Sequence, residues 1–127
     1  MLALMPGSRR QEIERNLPMM LNACKNVGGD YVYVVASAPS MGKGFYEDII
    51  ARAVGEPDNE FRERVVLMPS QGSNSSFMLL HNSYGALVTS GTATLETAII
   101  GVPQVVCYSM ACGRLMSCLR RLFLKVP

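Results

Sequence analysis

The feature that most constrains this chain is an alternation repeated along its length. Five times a short apolar or β-branched run gives way to a turn signal and then to a stretch with helical spacing. The runs are Leu2 to Met5, Tyr31 to Ala36, Val65 to Met68, Ala86 to Thr89 and Gln104 to Tyr108. Each is continuously apolar instead of alternating with polar residues, which is the pattern of strands covered on both faces. Parallel neighbours need long crossovers, and the intervening helical stretches supply them. The expectation is an α/β fold: a Rossmann-like, doubly wound parallel sheet of order 3-2-1-4-5, in one domain over residues 1–127.

The first helix is expected to start near Ser8, where Ser8-Arg-Arg-Gln11 has the spacing of a capping box. Ile13, Leu17, Met20, Leu21, Cys24 and Val27 then share one face. Pro18 either kinks this helix or sits in the first turn of one that begins near Asn16, where its missing N–H costs nothing. Further helices are expected over Gly44 to Val54, Ser75 to Asn82, Thr92 to Ile100 and Gly113 to Leu124. Gly28-Gly29, Gly55 and Gly101 act as stops. The acidic stretch from Glu56 to Glu63 reads as a solvated connection.

Composition narrows the function classes. With 49% hydrophobic and 17% charged residues the chain can bury a core. It has no run of eighteen apolar residues to cross a membrane. Twelve basic against ten acidic residues leave a net charge of +2, too balanced for a nucleic-acid footprint across the domain. Cys24, Cys107, Cys112 and Cys118 lack paired metal spacing, and His81 is the single histidine. No metal site is expected, and the thiols fit a reducing cytoplasm. Met1 leads straight into a strand-like run without a secretory signal.

In an open parallel sheet, ligands sit beyond the carboxyl ends of the strands. Two loops suit that position. In Pro6-Gly7-Ser8-Arg9, glycine lets backbone approach a ligand, Ser8 offers a hydroxyl, and a helix start offers free N–H groups. Arg9 adds a planar fork of donors that fits phosphate oxygens. In Thr89-Ser90-Gly91-Thr92-Ala93-Thr94-Leu95-Glu96, hydroxyls and a glycine crowd the opening of another helix. Taken singly, each loop is ordinary turn and cap chemistry. Strand order 3-2-1-4-5 makes strands one and four neighbours, so both loops open on one crevice. Glu96 has two readings: a carboxylate favoured near a positive helix end, or an acceptor for the paired hydroxyls of a ribose. Neither loop matches the dinucleotide or phosphate-loop NTPase glycine patterns.

Leu4-Met5-Pro6-Gly7-Ser8-Arg9 with Glu12-Ile13 and Leu17-Pro18, then Ser90-Gly91-Thr92-Ala93-Thr94-Leu95-Glu96, then Pro103-Gln104-Val105-Val106-Cys107-Tyr108, together resemble the C-terminal half of the lipid-A-disaccharide synthase family. The resemblance runs over essentially the whole chain. It implies the donor-nucleotide-binding domain of a two-domain GT-B glycosyltransferase. Such an enzyme joins UDP-2,3-diacylglucosamine to 2,3-diacylglucosamine 1-phosphate with inversion, giving the β-1,6 disaccharide of lipid A. Carried over by residue, Gly7, Ser8, Arg9, Ser90, Gly91 and Thr92 would hold the donor diphosphate and Glu96 the ribose. No metal or other cofactor is implied. No catalytic residue is expected in this chain: the N-terminal domain with the acceptor site and the base, and a segment beyond Pro127, would lie outside it. Many members follow the tyrosine with arginine, whereas this chain has Tyr108-Ser109.

Gly113 to Lys125 carries Arg114, Arg120, Arg121 and Lys125 around Leu115, Cys118, Leu119 and Leu122, a local charge of +4. This reads either as a core-covering helix whose basic chains snorkel, or as a peripheral contact with an anionic inner-membrane surface. Two alternatives stand beside the main reading. One is another UDP-sugar enzyme of the same architecture, such as a peptidoglycan N-acetylglucosaminyltransferase or a UDP-N-acetylglucosamine 2-epimerase. The other is a non-catalytic α/β phosphate-binding or receiver module. A receiver would need aspartates clustered at strand ends, yet Asp30, Asp48 and Asp58 lie outside the loops described.

Overall fold

The structure is a computed structural model that describes residues 1–55, 60–72 and 74–108. Its elements run β1 (Leu2–Met5), α1 (Arg10–Cys24), β2 (Tyr33–Ala36), α2 (Lys43–Val54), α3 (Glu60–Glu63), β3 (Val65–Met68), α4 (Ser75–His81), β4 (Gly85–Thr89), α5 (Thr92–Ile100) and β5 (Gln104–Cys107). The five strands form one parallel sheet in the order β3-β2-β1-β4-β5. That is the Rossmann-like topology expected from the alternation. The helix expected over Gly113 to Leu124, with its basic flank, lies outside the described residues.

Strand side chains alternate across the sheet, and the core divides accordingly. Leu4, Tyr33, Val35 and Val65 face α1, α2 and α3, meeting Ile13, Leu17, Met20, Leu21, Ile49, Ile50 and Phe61. Ala3, Met5, Val34, Ala36, Ala86 and Val88 face the other way, toward Leu79 and Leu80 of α4. The central strand therefore contributes to both halves, which explains why its run is apolar without interruption.

Several boundaries differ from expectation for identifiable reasons. Helix α1 begins at Arg10 and runs to Cys24 with Pro18 inside it, so neither a start at Asn16 nor a capping box from Ser8 to Gln11 is found. The buried face of Ile13, Asn16, Leu17, Met20, Leu21 and Cys24 holds the helix together across the proline. The helix ends before Gly28-Gly29, with Asn26 and Val27 N–H groups already turned onto Ala23 and Cys24 carbonyls. Strand β2 starts at Tyr33 instead of Tyr31, because Tyr31 leaves the ladder to stack on Tyr84, with ring centroids 6.2 Å apart. The acidic stretch is not wholly a solvated connection: α3 forms within it. Its Phe61 is buried against Tyr33 at 5.2 Å, with the Arg64 guanidinium 5.8 Å from the Phe61 ring and 5.9 Å from the Tyr33 ring. One aromatic side chain suffices to draw an acidic segment onto the core. Gly55 and Gly101 do close α2 and α5, at φ +96° and +83°.

Candidate functional site

Loops at the carboxyl ends of β1, β2, β3 and β4 surround a cleft of about 450 Å³. Two buried polar side chains fix the loops around it. Asn16 donates from Nδ2 to the Pro6 carbonyl at 3.3 Å, tying α1 to the loop after β1. Thr89 donates to the Met5 carbonyl at 3.4 Å, joining the end of β4 to the end of β1. The loops singled out in the sequence consequently stand side by side. Gly7, Ser8, Arg9, Ser90, Gly91, Thr92 and Glu96 all line this one cleft.

The two helix starts facing the cleft differ chemically. At α5, Gly91 is the N-cap at φ +130°, a conformation that favours glycine, and a Cβ there would meet open space. No side chain caps this end. Thr94 N–H turns onto the Gly91 carbonyl at 3.2 Å and Thr94 Oγ1 donates to the Thr89 carbonyl at 3.1 Å, while among the described residues the Thr92 and Ala93 N–H groups have no intramolecular partner. The positive end of the helix dipole thus opens on the cleft.

At α1 the expected free N–H groups are not free. Glu12 Oε2 accepts from both Ser8 N–H and Arg9 N–H, each at 3.3 Å. Arg9 stands at the N-cap but has no acceptor with which to return the bond, so only the carboxylate half of a capping box is possible. Gly7, at φ +118°, makes room for this same side chain: a Cβ on it would lie 2.7 Å from Glu12 Oε2 and 2.9 Å from Glu12 Cβ. Gly7 thus makes room for Glu12, and both residues line the cleft. Arg9 and Glu96 are exposed, and among the described residues neither side chain makes an ion pair or hydrogen bond. Glu96 stands on a rim, shared with a second hollow of about 260 Å³ lined by Asn74, Phe77, Ile99 and Ile100.

Two cleft walls were not foreseen. Ser37, Ala38 and Pro39 follow β2, and Ser70, Gly72 and Ser76 follow β3 or open α4. Ser37 Oγ donates to the Met68 carbonyl at 2.8 Å and accepts from Ser70 N–H at 2.9 Å, clamping these walls together. The signal was available, since both loops also leave carboxyl ends of strands. Ala38 N–H donates to the buried Tyr46 hydroxyl at 2.7 Å. Burial pushes the Tyr46 phenol up, and the bond from Ala38 pulls it partly back, so it stays protonated near neutrality. Tyr46→Phe should leave the Ala38 N–H without its partner, lowering stability by roughly 1 to 2 kcal/mol. A urea titration with unchanged slope and a shifted midpoint is the expected result; an unshifted midpoint would show that water replaces the hydroxyl.

Among the described residues no three His, Cys, Asp or Glu side chains gather in a metal-binding group, and no helix is long and apolar enough to cross a membrane. Cys24 is buried, and burial, with Cys107 adding to it, pushes its thiol up to about 11. It remains a protonated core side chain near neutrality.

A family model described as lipid-A-disaccharide synthetase matches residues 1–127. The chain is 32% identical over 116 residues to a lipid-A-disaccharide synthase of Acidobacterium capsulatum, covering 87% of this chain and 28% of that protein. It is 31% identical over 110 residues to the enzyme of Koribacter versatilis, covering 87% and 26%. To that of Nitrosococcus oceani it is 30% identical over 125 residues, covering 98% and 30%. The chain spans under a third of the length of these curated relatives.

Proposed function

The chain belongs to the lipid-A-disaccharide synthetase family, and from that membership we propose that residues 1–127 form the donor-nucleotide-binding domain of a glycosyltransferase. The proposed overall reaction joins UDP-2,3-diacylglucosamine to 2,3-diacylglucosamine 1-phosphate with inversion, releasing UDP. The observation that carries the assignment of this domain is that an uncapped helix start at Gly91 and Thr92, Arg9 and Glu96 all line one cleft. An anion and a pair of hydroxyls are the complementary chemistry: N–H dipoles and a guanidinium for the diphosphate, a carboxylate acceptor for the ribose.

In this reading the α5 dipole and Arg9 stabilise negative charge as UDP departs, and binding needs no divalent cation. The base that deprotonates the acceptor and the acceptor's own site belong to a part of the protein beyond the matched span. Glu96 is not that base, since its place is with the ribose. A cytoplasmic setting follows from the nucleotide-sugar donor. Glu96→Gln should weaken UDP by about three- to tenfold, because a neutral amide accepts from hydroxyls less strongly than a carboxylate, while pyrophosphate binding stays the same or tightens. Calorimetric titration with each ligand, in EDTA, checks this. Equal losses for both ligands would remove the ribose role, and binding that appears only with added magnesium would remove the metal-free one.

A further inference from the structure

Glu12 brings to the cleft a chemistry that opposes an anionic ligand. It lines the cleft together with Arg9 and Glu96. One oxygen, Oε2, accepts from two consecutive backbone N–H groups, those of Ser8 and Arg9. Adjacent N–H groups at a helix start form the usual cradle for a phosphate oxygen. A carboxylate oxygen carries the same sign of charge and the same acceptor role. Both bonds measure 3.3 Å, long beside the 2.7 to 2.9 Å typical of charge-assisted pairs. The packing is specific to this arrangement, since Gly7 leaves space that the Glu12 side chain fills. At α5, by contrast, no carboxylate caps the start.

We propose that Glu12 is a built-in competitor for the ligand's phosphate: its carboxylate and a diphosphate oxygen contend for the Ser8 and Arg9 N–H groups, so Glu12 sets how strongly the cleft takes an anion. The proposal rests on the reading of the cleft as a diphosphate site and adds a residue that limits affinity at it. A product that must leave after each turnover gives such a residue a use, because a carboxylate waiting beside the donors lowers the barrier to phosphate release. A purely structural cap would behave otherwise. Its removal would loosen the start of α1 and with it the loop that carries Arg9, weakening binding and stability together.

The test measures pyrophosphate, UDP and uridine affinities of the chain, of Glu12→Gln and of Glu12→Ala, with a thermal melt of each. Glutamine keeps the reach and the packing against Gly7 without the charge, and so remains informative if the alanine variant folds poorly. Pyrophosphate and UDP should bind about three- to tenfold more tightly to both variants, through loss of a like charge in both and, in the alanine variant, release of two donors as well. Uridine affinity should be unchanged, and the alanine variant should melt lower, so that affinity and stability move in opposite directions. UDP binding by the unaltered chain with no gain for pyrophosphate in either variant would overturn the competitor role and leave the cleft reading standing. A gain shared by uridine would overturn it as well, marking general loosening. Failure of all three proteins to bind UDP or pyrophosphate would overturn both readings.

Discussion

Arg9→Ala is expected to weaken UDP binding by about ten- to a hundredfold, the loss of a charge-assisted hydrogen bond worth roughly 1.5 to 3 kcal/mol. The side chain is exposed and lines the cleft next to the α1 start. Its removal strands no buried partner, so stability should change by no more than about 0.5 kcal/mol. Affinity and fold are thereby separated in one variant. Because the site opens to water, the contribution should shrink as salt rises, which a short-range packing effect would not do. Arg9→Lys should fall between the two, keeping the charge while losing the planar fork. Titrations with UDP at low and high salt decide the matter. An alanine variant that binds UDP as tightly as the unaltered chain would mean that the Pro-Gly-Ser-Arg loop is turn chemistry alone.

Gly7→Ala should be among the most damaging single-methyl changes in this chain, lowering stability by roughly 2 to 4 kcal/mol. Two costs add. At φ +118° an L side chain is strained whatever its surroundings, and the new Cβ would lie 2.9 Å from Glu12 Cβ as well as 2.7 Å from Oε2. The oxygen ends a flexible chain and can swing aside, but Glu12 Cβ is fixed to the helix backbone, so the loop or α1 must shift. Gly44→Ala is the matched control. Gly44 lies in the first turn of α2 with no positive φ, and a methyl added there would meet nothing within 4 Å, so alanine should stabilise by about 0.4 to 1 kcal/mol. Denaturant midpoints of the two variants should move in opposite directions. A Gly7→Ala midpoint within error of the parent would show that the loop relaxes freely, and would remove the argument that Gly7 and Glu12 are packed as a unit.

The fold was legible because its information is local and repeated. Five continuously apolar runs, each followed by a helical period, leave few arrangements once parallel pairing and crossover handedness are imposed. The observed order β3-β2-β1-β4-β5 is one of the few these rules allow. The convergence of the loops after β1 and β4 came from the same source: topology alone places them together, and all seven residues singled out in them line the cleft. Element ends were less legible. Gly28-Gly29 are good stops in isolation, yet α1 ends earlier, where its buried face runs out at Cys24.

What the sequence by itself determined, then, is the arrangement of backbone and the set of polar residues delivered to one end of the sheet, because hydrophobic period and turn chemistry act within a few residues. The pairing of individual donors and acceptors is a tertiary matter. Ser8-Arg-Arg-Gln11 and the Arg9-to-Glu12 spacing are both available in the sequence, and the structure uses Glu12 because Gly7 turns the backbone at φ +118° and leaves room for that carboxylate against it. The walls of Ser37, Ala38 and Pro39 and of Ser70, Gly72 and Ser76 likewise join the cleft only because β2 lies beside β1 and β3 beside β2 in the sheet. Spacing names the residues that can reach one another; the packed backbone decides which of them do, because hydrogen bonds are made over about 3 Å and a shift of one residue in a loop exceeds that distance.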